Sequence, residues 1–161
     1  VIYTLEALQA AITAEPERWQ PLVLTNGCFD LLHAGHVRYL QAARQLGQAL
    51  VIGLNSDSSV QQLKGTSRPI VPDAQRAEVL AALGCVDAVV IFPQRTAATL
   101  VETLRPAIYA KGGDYTPATL PEAAIVQAYG GRVELIRVEV PSSTSRIIER
   151  IVSLYQPSAP A

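Results

Sequence analysis

A chain of 161 residues is near the usual size of one domain and is long enough to bury a full hydrophobic core. With 13 basic against 14 acidic residues the net charge is −1, so no global field draws the chain to nucleic acid or to an acidic membrane, and any affinity for anions has to be local. No apolar run reaches the length of a membrane span and the amino end lacks a signal-peptide layout, which predicts a single cytoplasmic domain over 1–161 with no nucleic-acid and no membrane partner.

Between Tyr3 and Ala14, Leu5, Leu8 and Ile12 recur at helical spacing behind Thr4 as N-cap, giving a helical extension over residues 1–20. Trp19, in a Pro-flanked link, reads as packing. Pro21 to Asn26 reads as a buried strand, Val37, Leu40, Ala43 and Leu46 as one helix face ending at Gly47, and Ala49 to Asn55 as a second strand. This β-α-β unit implies a parallel pair with a right-handed crossover.

Ser58 to Leu63 predicts a brief helix, and the glycine, proline and cations of Lys64 to Pro69 mark a loop. A helix over Asp73 to Leu83, a third strand over Asp87 to Phe92, a helix over Thr96 to Leu104 and a fourth strand over Ala107 to Ala110 follow. Pro121 to Tyr129 predicts a helix and Val133 to Val138 a fifth strand. Ser142 to Thr144 then cap a last amphipathic helix that uses Ile147, Ile148, Ile151 and Leu154, and residues 156–161 read as a flexible tail. The expected fold is α/β: a single Rossmann-like domain with a five-stranded, mostly parallel sheet and helices on both faces.

In such sheets ligands bind beyond the carboxyl ends of the strands, where the strand order reverses. Gly27 to His36, Asn55 to Asp57, Lys111 to Asp114 and Ser142 to Thr144 each follow a strand, so four polar segments should converge on one crevice. The first, GCFDLLHAGH, opens a helix whose free N–H groups and dipole suit a polyphosphate, with His33 and His36 as added donors. Gly35 between them is expected to let a phosphate approach the backbone. An isolated HxxH is otherwise a helix cap, and neither GxGxxG nor GxxxxGK[ST] is present. Cys28 and Cys85 fit neither a zinc spacing nor a disulfide framework, and Cys28 reads as a space-filler rather than a nucleophile. No closed zinc site is visible, so no metal is assigned to protein ligands. The sequence starts at valine and contains no methionine, the mark of a processed product or of a piece of a longer chain.

Thr25 to His36 (TNGCFDLLHAGH) resembles the HxGH signature of the cytidylyl- and adenylyltransferase superfamily. LNSDSSVQQLKG at Leu54 to Gly65, SRPIVP at Ser67 to Pro72, Arg76, KGGDY at Lys111 to Tyr115, Gly130-Gly131 and SSTSRIIERI at Ser142 to Ile151 extend the likeness to roughly Pro21 to Ile151. Within the superfamily the combination is similar to the ADP-heptose-forming adenylyltransferases, free-standing or fused to a sugar kinase. The resemblance implies transfer of AMP from ATP, with Mg²⁺, to D-glycero-β-D-manno-heptose 1-phosphate, and a homo-oligomer. A cytidylyltransferase for a polyol phosphate such as glycerol 3-phosphate, or a nucleotide-binding module without turnover, remain alternatives.

Carried over residue by residue, the resemblance makes His33, His36 and Lys64 catalytic. It places Thr25, Asn26, Gly27, Cys28, Phe29, Lys111, Gly112, Asp114, Ser143 and Thr144, with both histidines, around ATP. Asn55, Asp57, Arg68 and Arg76 are assigned to the sugar phosphate. Plainer roles stand beside these: Asp114 as a turn former, Ser143 as an N-cap, Arg76 as a solvated helix cation. Two positions depart from the family pattern. Leu120-Pro121-Glu122-Ala123 replaces a segment that usually holds a glycine, and Ser145 stands where a threonine is usual.

Overall fold

The computed structural model describes residues 1–113 and 115–156. Hydrophobic runs bounded by turn residues form β2 (Leu22–Gly27), β3 (Ala49–Asn55), β4 (Ala88–Phe92), β5 (Ile108–Gly112) and β6 (Arg132–Ile136). The five-strand expectation is corrected by β1 (Ile2–Tyr3), which pairs with Val89 and Val90 of β4. Two residues are too few for a strand alternation to be visible in sequence; β1 exists because β4 offers an unpaired edge. The order is β1-β4-β3-β2-β5-β6, and the pairs are parallel throughout.

The helices are α1 (Leu5–Ala14), α2 (Pro16–Trp19), α3 (Ala34–Arg44), α4 (Asp57–Lys64), α5 (Asp73–Ala81), α6 (Ala98–Leu104), α7 (Pro121–Ala128) and α8 (Thr144–Tyr155). All of β3 is buried, as a central strand covered on both sides must be. Its alternate residues serve two cores. Ala49 and Val51 join Leu8 and Ile12 of α1, Leu100, Val101 and Leu104 of α6 and Val126 of α7. Leu50, Ile52 and Leu54 meet Leu40 and Ala43 of α3 and Ala77 and Leu80 of α5. Each such Leu or Ile contributes about 1.5–3 kcal/mol by leaving water.

Thr4 caps α1 through the Ala7 N–H, as its position predicts. Trp19 is a packing residue, fully buried and edge-on to Tyr3 at 6.3 Å. The link that carries it is a short helical turn, α2, with proline at its first position. No residue of α8 is buried, and Ile151, Val152 and Leu154 are about half exposed. The helix is instead tied down at its start, where Thr144 Oγ1 donates to Leu31 O at 3.2 Å. The chain leaves β2 for β3 on one side and places β5 on the other, so the strand order reverses between β2 and β5. Gly27 and Lys111 stand at those two carboxyl ends.

Candidate functional site

A cleft of about 740 Å³ opens at this switch point, lined by the turn from Asn26 to His36, the ends of β3 and β5, and the starts of α7 and α8. The turn is built tightly. Phe29 sits at φ 44°, in the left-handed region that a phenylalanine rarely adopts, and its ring packs so closely on Gly27 that a Cβ there would lie 3.0 Å from Cε2. Burial of that ring, 6% exposed, compensates the strained backbone.

His33 is the N-cap of α3. Its Nδ1 accepts the Gly35 N–H at 3.1 Å, and the His33 N–H donates to His36 Nδ1 at 3.4 Å, a reciprocal cap made by two imidazoles. With both Nδ1 atoms accepting, the proton of each neutral ring sits on Nε2, leaving two N–H donors beside the free N–H groups of the helix start. The rings stack with centroids 3.9 Å apart. Gly35 has a further reason beside the expected one: a Cβ there would meet the His33 ring at 2.8 Å. The glycine makes room for the imidazole.

Burial, then the neighbouring His33, pulls the His36 pKa down to about 4 from 6.5; burial lowers His33 as well. Both rings are therefore neutral donors at pH 7. An unfolded chain takes up a proton near pH 6.5 and the folded His36 only near pH 4, so this residue contributes stability that is complete above pH 6.5 and is lost as the pH falls toward 4. Melting temperatures recorded from pH 7.5 to 4.5 should fall across that window, and less steeply for His36→Gln. Equal slopes in the two proteins would contradict the assignment.

Lys64, the exposed last residue of α4, and Arg68 also line the cleft. Arg68 Nε donates to Asp30 Oδ2 at 2.7 Å, and the same carboxylate accepts the N–H groups of Ile70 and Val71. Burial pushes Asp30 up, but these hydrogen bonds outweigh it and hold its pKa below the ordinary carboxylate value. Asp30 thus staples the loop after α4 to the turn before α3, a role the sequence reading missed although the residue lies inside GCFDLLHAGH.

The segment after β3 divides. Asn55 lines the cleft, with its side chain donating to Ser59 Oγ at 2.8 Å. Asp57 and Arg76 do not line it, and the geometry gives them another task than the expected sugar-phosphate contact. Asp57 Oδ1 accepts the Asp73 N–H while Asp73 Oδ2 accepts the Asp57 N–H, so each carboxylate caps the other's helix. Arg76, 1% exposed, donates to Asp57 Oδ1, Val71 O, Cys28 O and Asn55 O. It welds β2, β3, α4 and α5 together behind the cleft.

Thr25 also lies behind the wall. Its Oγ1 is 2.6 Å from Tyr39 Oη, which donates to Ala110 O, joining β2, α3 and β5. Burial pushes the Tyr39 phenol up to about 12, so it stays protonated for that bond. Gly112 keeps the strand end clear of the same ring, which a Cβ would meet at 3.3 Å. Asn26 and Lys111 do line the cleft, with Lys111 Nζ donating to Asn26 Oδ1 at 3.2 Å and Tyr109 Oη donating to the same oxygen. Cys28 lines it too, and burial raises its thiol, which suits a space-filler and not a nucleophile. Ser143 caps α8 by accepting the Arg146 N–H, and Ser142 to Ser145 all border the cleft. Asp114 lies outside the described residues. Among those described, no group of three or more His, Cys, Asp or Glu side chains is placed to hold a metal. No helix of the described residues is long and apolar enough to cross a membrane.

Comparison with known proteins agrees with this geometry. The sequence profile of the cytidylyltransferase-like family matches residues 24–154. The bifunctional protein HldE of Syntrophotalea carbinolica is 54% identical over 151 residues, covering 94% of this chain and 31% of that protein. Its counterpart from Geotalea uraniireducens is 55% identical over 150 residues, with 93% and 31% covered. The chain thus spans about a third of the length of these curated relatives. Among solved structures, a lipopolysaccharide core biosynthesis protein of Thermoplasma volcanium aligns with TM-score 0.59 and 26% identity over 74% of this chain and 97% of that one. A pantoate-beta-alanine ligase of Francisella tularensis, with TM-score 0.65 and 12% identity over 92% of this chain and 72% of that one, shares the fold. The match over most of the chain settles the group: it belongs to the cytidylyltransferase-like family.

Proposed function

We propose that this chain is an adenylyltransferase that moves AMP from ATP to a sugar 1-phosphate, D-glycero-β-D-manno-heptose 1-phosphate first among them, giving ADP-heptose and pyrophosphate. The observation that carries the reading is the interlocked pair His33 and His36, which line a cleft at a helix start and whose Nδ1 atoms are occupied by backbone N–H groups, leaving Nε2 of each as the free donor. The resemblance of KGGDY and SRPIVP to the ADP-heptose branch supports the choice of acceptor, as does the identity of half or more with bifunctional HldE proteins.

An oxygen of the sugar phosphate attacks the α-phosphorus of ATP. The bond from that phosphorus to the bridging oxygen breaks, and pyrophosphate leaves with the electron pair. A phosphate monoester has a second pKa of about 6, so the nucleophile is already deprotonated at neutral pH and needs no general base. The chain's contribution is positioning and charge stabilisation. The start of α3 with His33 and His36 takes one side of the triphosphate, and the start of α8 at Ser143 and Thr144 another. Lys64 reaches in from the exposed end of α4. The donor set fits Mg²⁺ bound through phosphate oxygens and water, because Asp30, a carboxylate beside the histidines, is consumed by three donors. When bound, Mg²⁺ neutralises phosphate charge. The half-exposed side of α8 is the surface a second copy would cover in a homo-oligomer, and a sugar kinase, fused or separate, would supply the acceptor.

Pyrophosphate release measured with ATP, CTP or GTP against a panel of sugar 1-phosphates and glycerol 3-phosphate tests the reading. ATP with a heptose 1-phosphate should give the highest kcat/KM. Preference for CTP with glycerol 3-phosphate would overturn it in favour of cytidylyl transfer.

A further inference from the structure

The cleft is not lined by donors alone. Beside the unspent donors of His33, His36, Lys64 and Ser143, its lining includes a carboxylate, Glu122, at the start of α7. Glu122 is 4% exposed, and its Oε1 accepts the Ala97 N–H at 2.8 Å. Among the described residues its Oε2 accepts no hydrogen bond, and Glu122 enters no ion pair. Oε2 is nevertheless not one of the fully occluded polar atoms without a partner, so it keeps some accessible surface, in a residue that lines the cleft.

A carboxylate this deeply buried costs free energy until a donor meets it. A phosphate cannot be that partner, since like charges repel. The donor has to come from a neutral part of a ligand. Two protein donors in the same lining are linked to Glu122: Lys111, near enough to feel its charge, and Asn26, hydrogen-bonded to Lys111. Asn26 Oδ1 accepts from both Tyr109 and Lys111, which leaves Asn26 Nδ2 free to donate, and Lys111 Nζ has N–H groups beyond the one given to Asn26. An acceptor beside two donors matches neighbouring hydroxyls, each of which donates once and also accepts.

We propose that Glu122 Oε2, with Asn26 Nδ2 and Lys111 Nζ, forms a subsite for a vicinal pair of sugar hydroxyls, on the ribose of the nucleotide or on the ring of the acceptor. The subsite rests on the reading of the cleft as a site for a nucleotide and a sugar phosphate. It makes Glu122, in the segment that departs from the family pattern, a specificity residue.

Calorimetric titration of the parental protein and Glu122→Gln with Mg²⁺-ATP and, separately, with heptose 1-phosphate tests this without requiring turnover. Glutamine keeps an oxygen for the Ala97 N–H and puts an amide N–H group where Oε2 stood. Affinity for one of the two ligands should fall about ten- to hundredfold, the loss expected for a hydrogen bond to a charged group. The matching deoxy analogue, of ATP or of the sugar phosphate, should bind both proteins alike. The ligand affected identifies which sugar occupies the subsite. Equal affinities of both proteins for both ligands would overturn the proposal. Titrating the parental protein with the deoxy analogues needs no variant, so it covers the case in which Glu122→Gln fails to fold: analogues that bind as well as their parents would also overturn the subsite. Should the binding pattern hold while no pyrophosphate is released with any acceptor, adenylyl transfer is overturned and the subsite stands.

Discussion

Replacing His36 by alanine is expected to slow pyrophosphate release by on the order of 10²–10³, the usual cost of losing one fixed donor at a developing charge. His33→Ala should do the same. The two losses should be far from additive, because each ring orients the other: His36 Nδ1 accepts the His33 N–H, and the rings stack. The change in stability should be small by comparison, about 1 kcal/mol for a partly buried N–H left without its acceptor. Steady-state kinetics together with a denaturant titration separate the two effects. A histidine variant that turned over at the parental rate would refute the catalytic assignment.

Arg76→Ala should act in the opposite sense, on folding and not on substrate affinity. Its guanidinium is buried and donates to one carboxylate and three carbonyls, so truncation strands Asp57 and leaves Val71 O, Cys28 O and Asn55 O unpaired. The Asp57 side chain is 38% exposed and rehydrates, so the loss falls on the buried carbonyls, about 1–3 kcal/mol for each one left unpaired, together a large part of the margin of a domain this size. Arg76→Lys should recover little, because an ammonium cannot reproduce the planar fork. Denaturant midpoints measure the loss. A soluble, stable Arg76→Ala protein with a raised KM for the sugar phosphate would contradict this and restore Arg76 to the substrate side.

The contrast between His36 and Arg76 shows what the sequence discloses. Strands β2 to β6 were legible because a doubly covered parallel sheet writes itself as apolar runs, and the convergence of their carboxyl ends followed from topology. The two-residue β1 left no periodicity to read. Of the residues expected at the site, Asn26 to Phe29, His33, His36, Lys64, Lys111, Gly112, Ser143 and Thr144 line one cleft, since motif residues that follow strands share one edge. Except for Thr25, those assigned to ATP or catalysis and described here border the cleft. Thr25 lies one residue too early on β2 and turns behind the wall toward Tyr39. Arg76 and Asp57, expected on the sugar-phosphate side, are absent from the cleft lining for another reason: a charged residue in an active-site motif looks the same in sequence whether it holds a ligand or holds the wall, and here both are engaged in hydrogen bonds between α4 and α5. Asp30 and Glu122 were missed because a carboxylate is unexpected in an anion site. That mismatch was itself a signal that each had a partner other than phosphate.

The central claim is that the turn from Gly27 to His36 holds a nucleoside triphosphate whose α-phosphorus is transferred to a sugar phosphate. Incubating the protein with ATP, Mg²⁺ and heptose 1-phosphate, and quantifying nucleotide sugar by mass spectrometry alongside pyrophosphate, tests it most directly. The account predicts ADP-heptose and pyrophosphate in equal amounts, both lost in His33→Ala and His36→Ala. ATP that binds to the parental protein but yields neither product with any sugar 1-phosphate would contradict it.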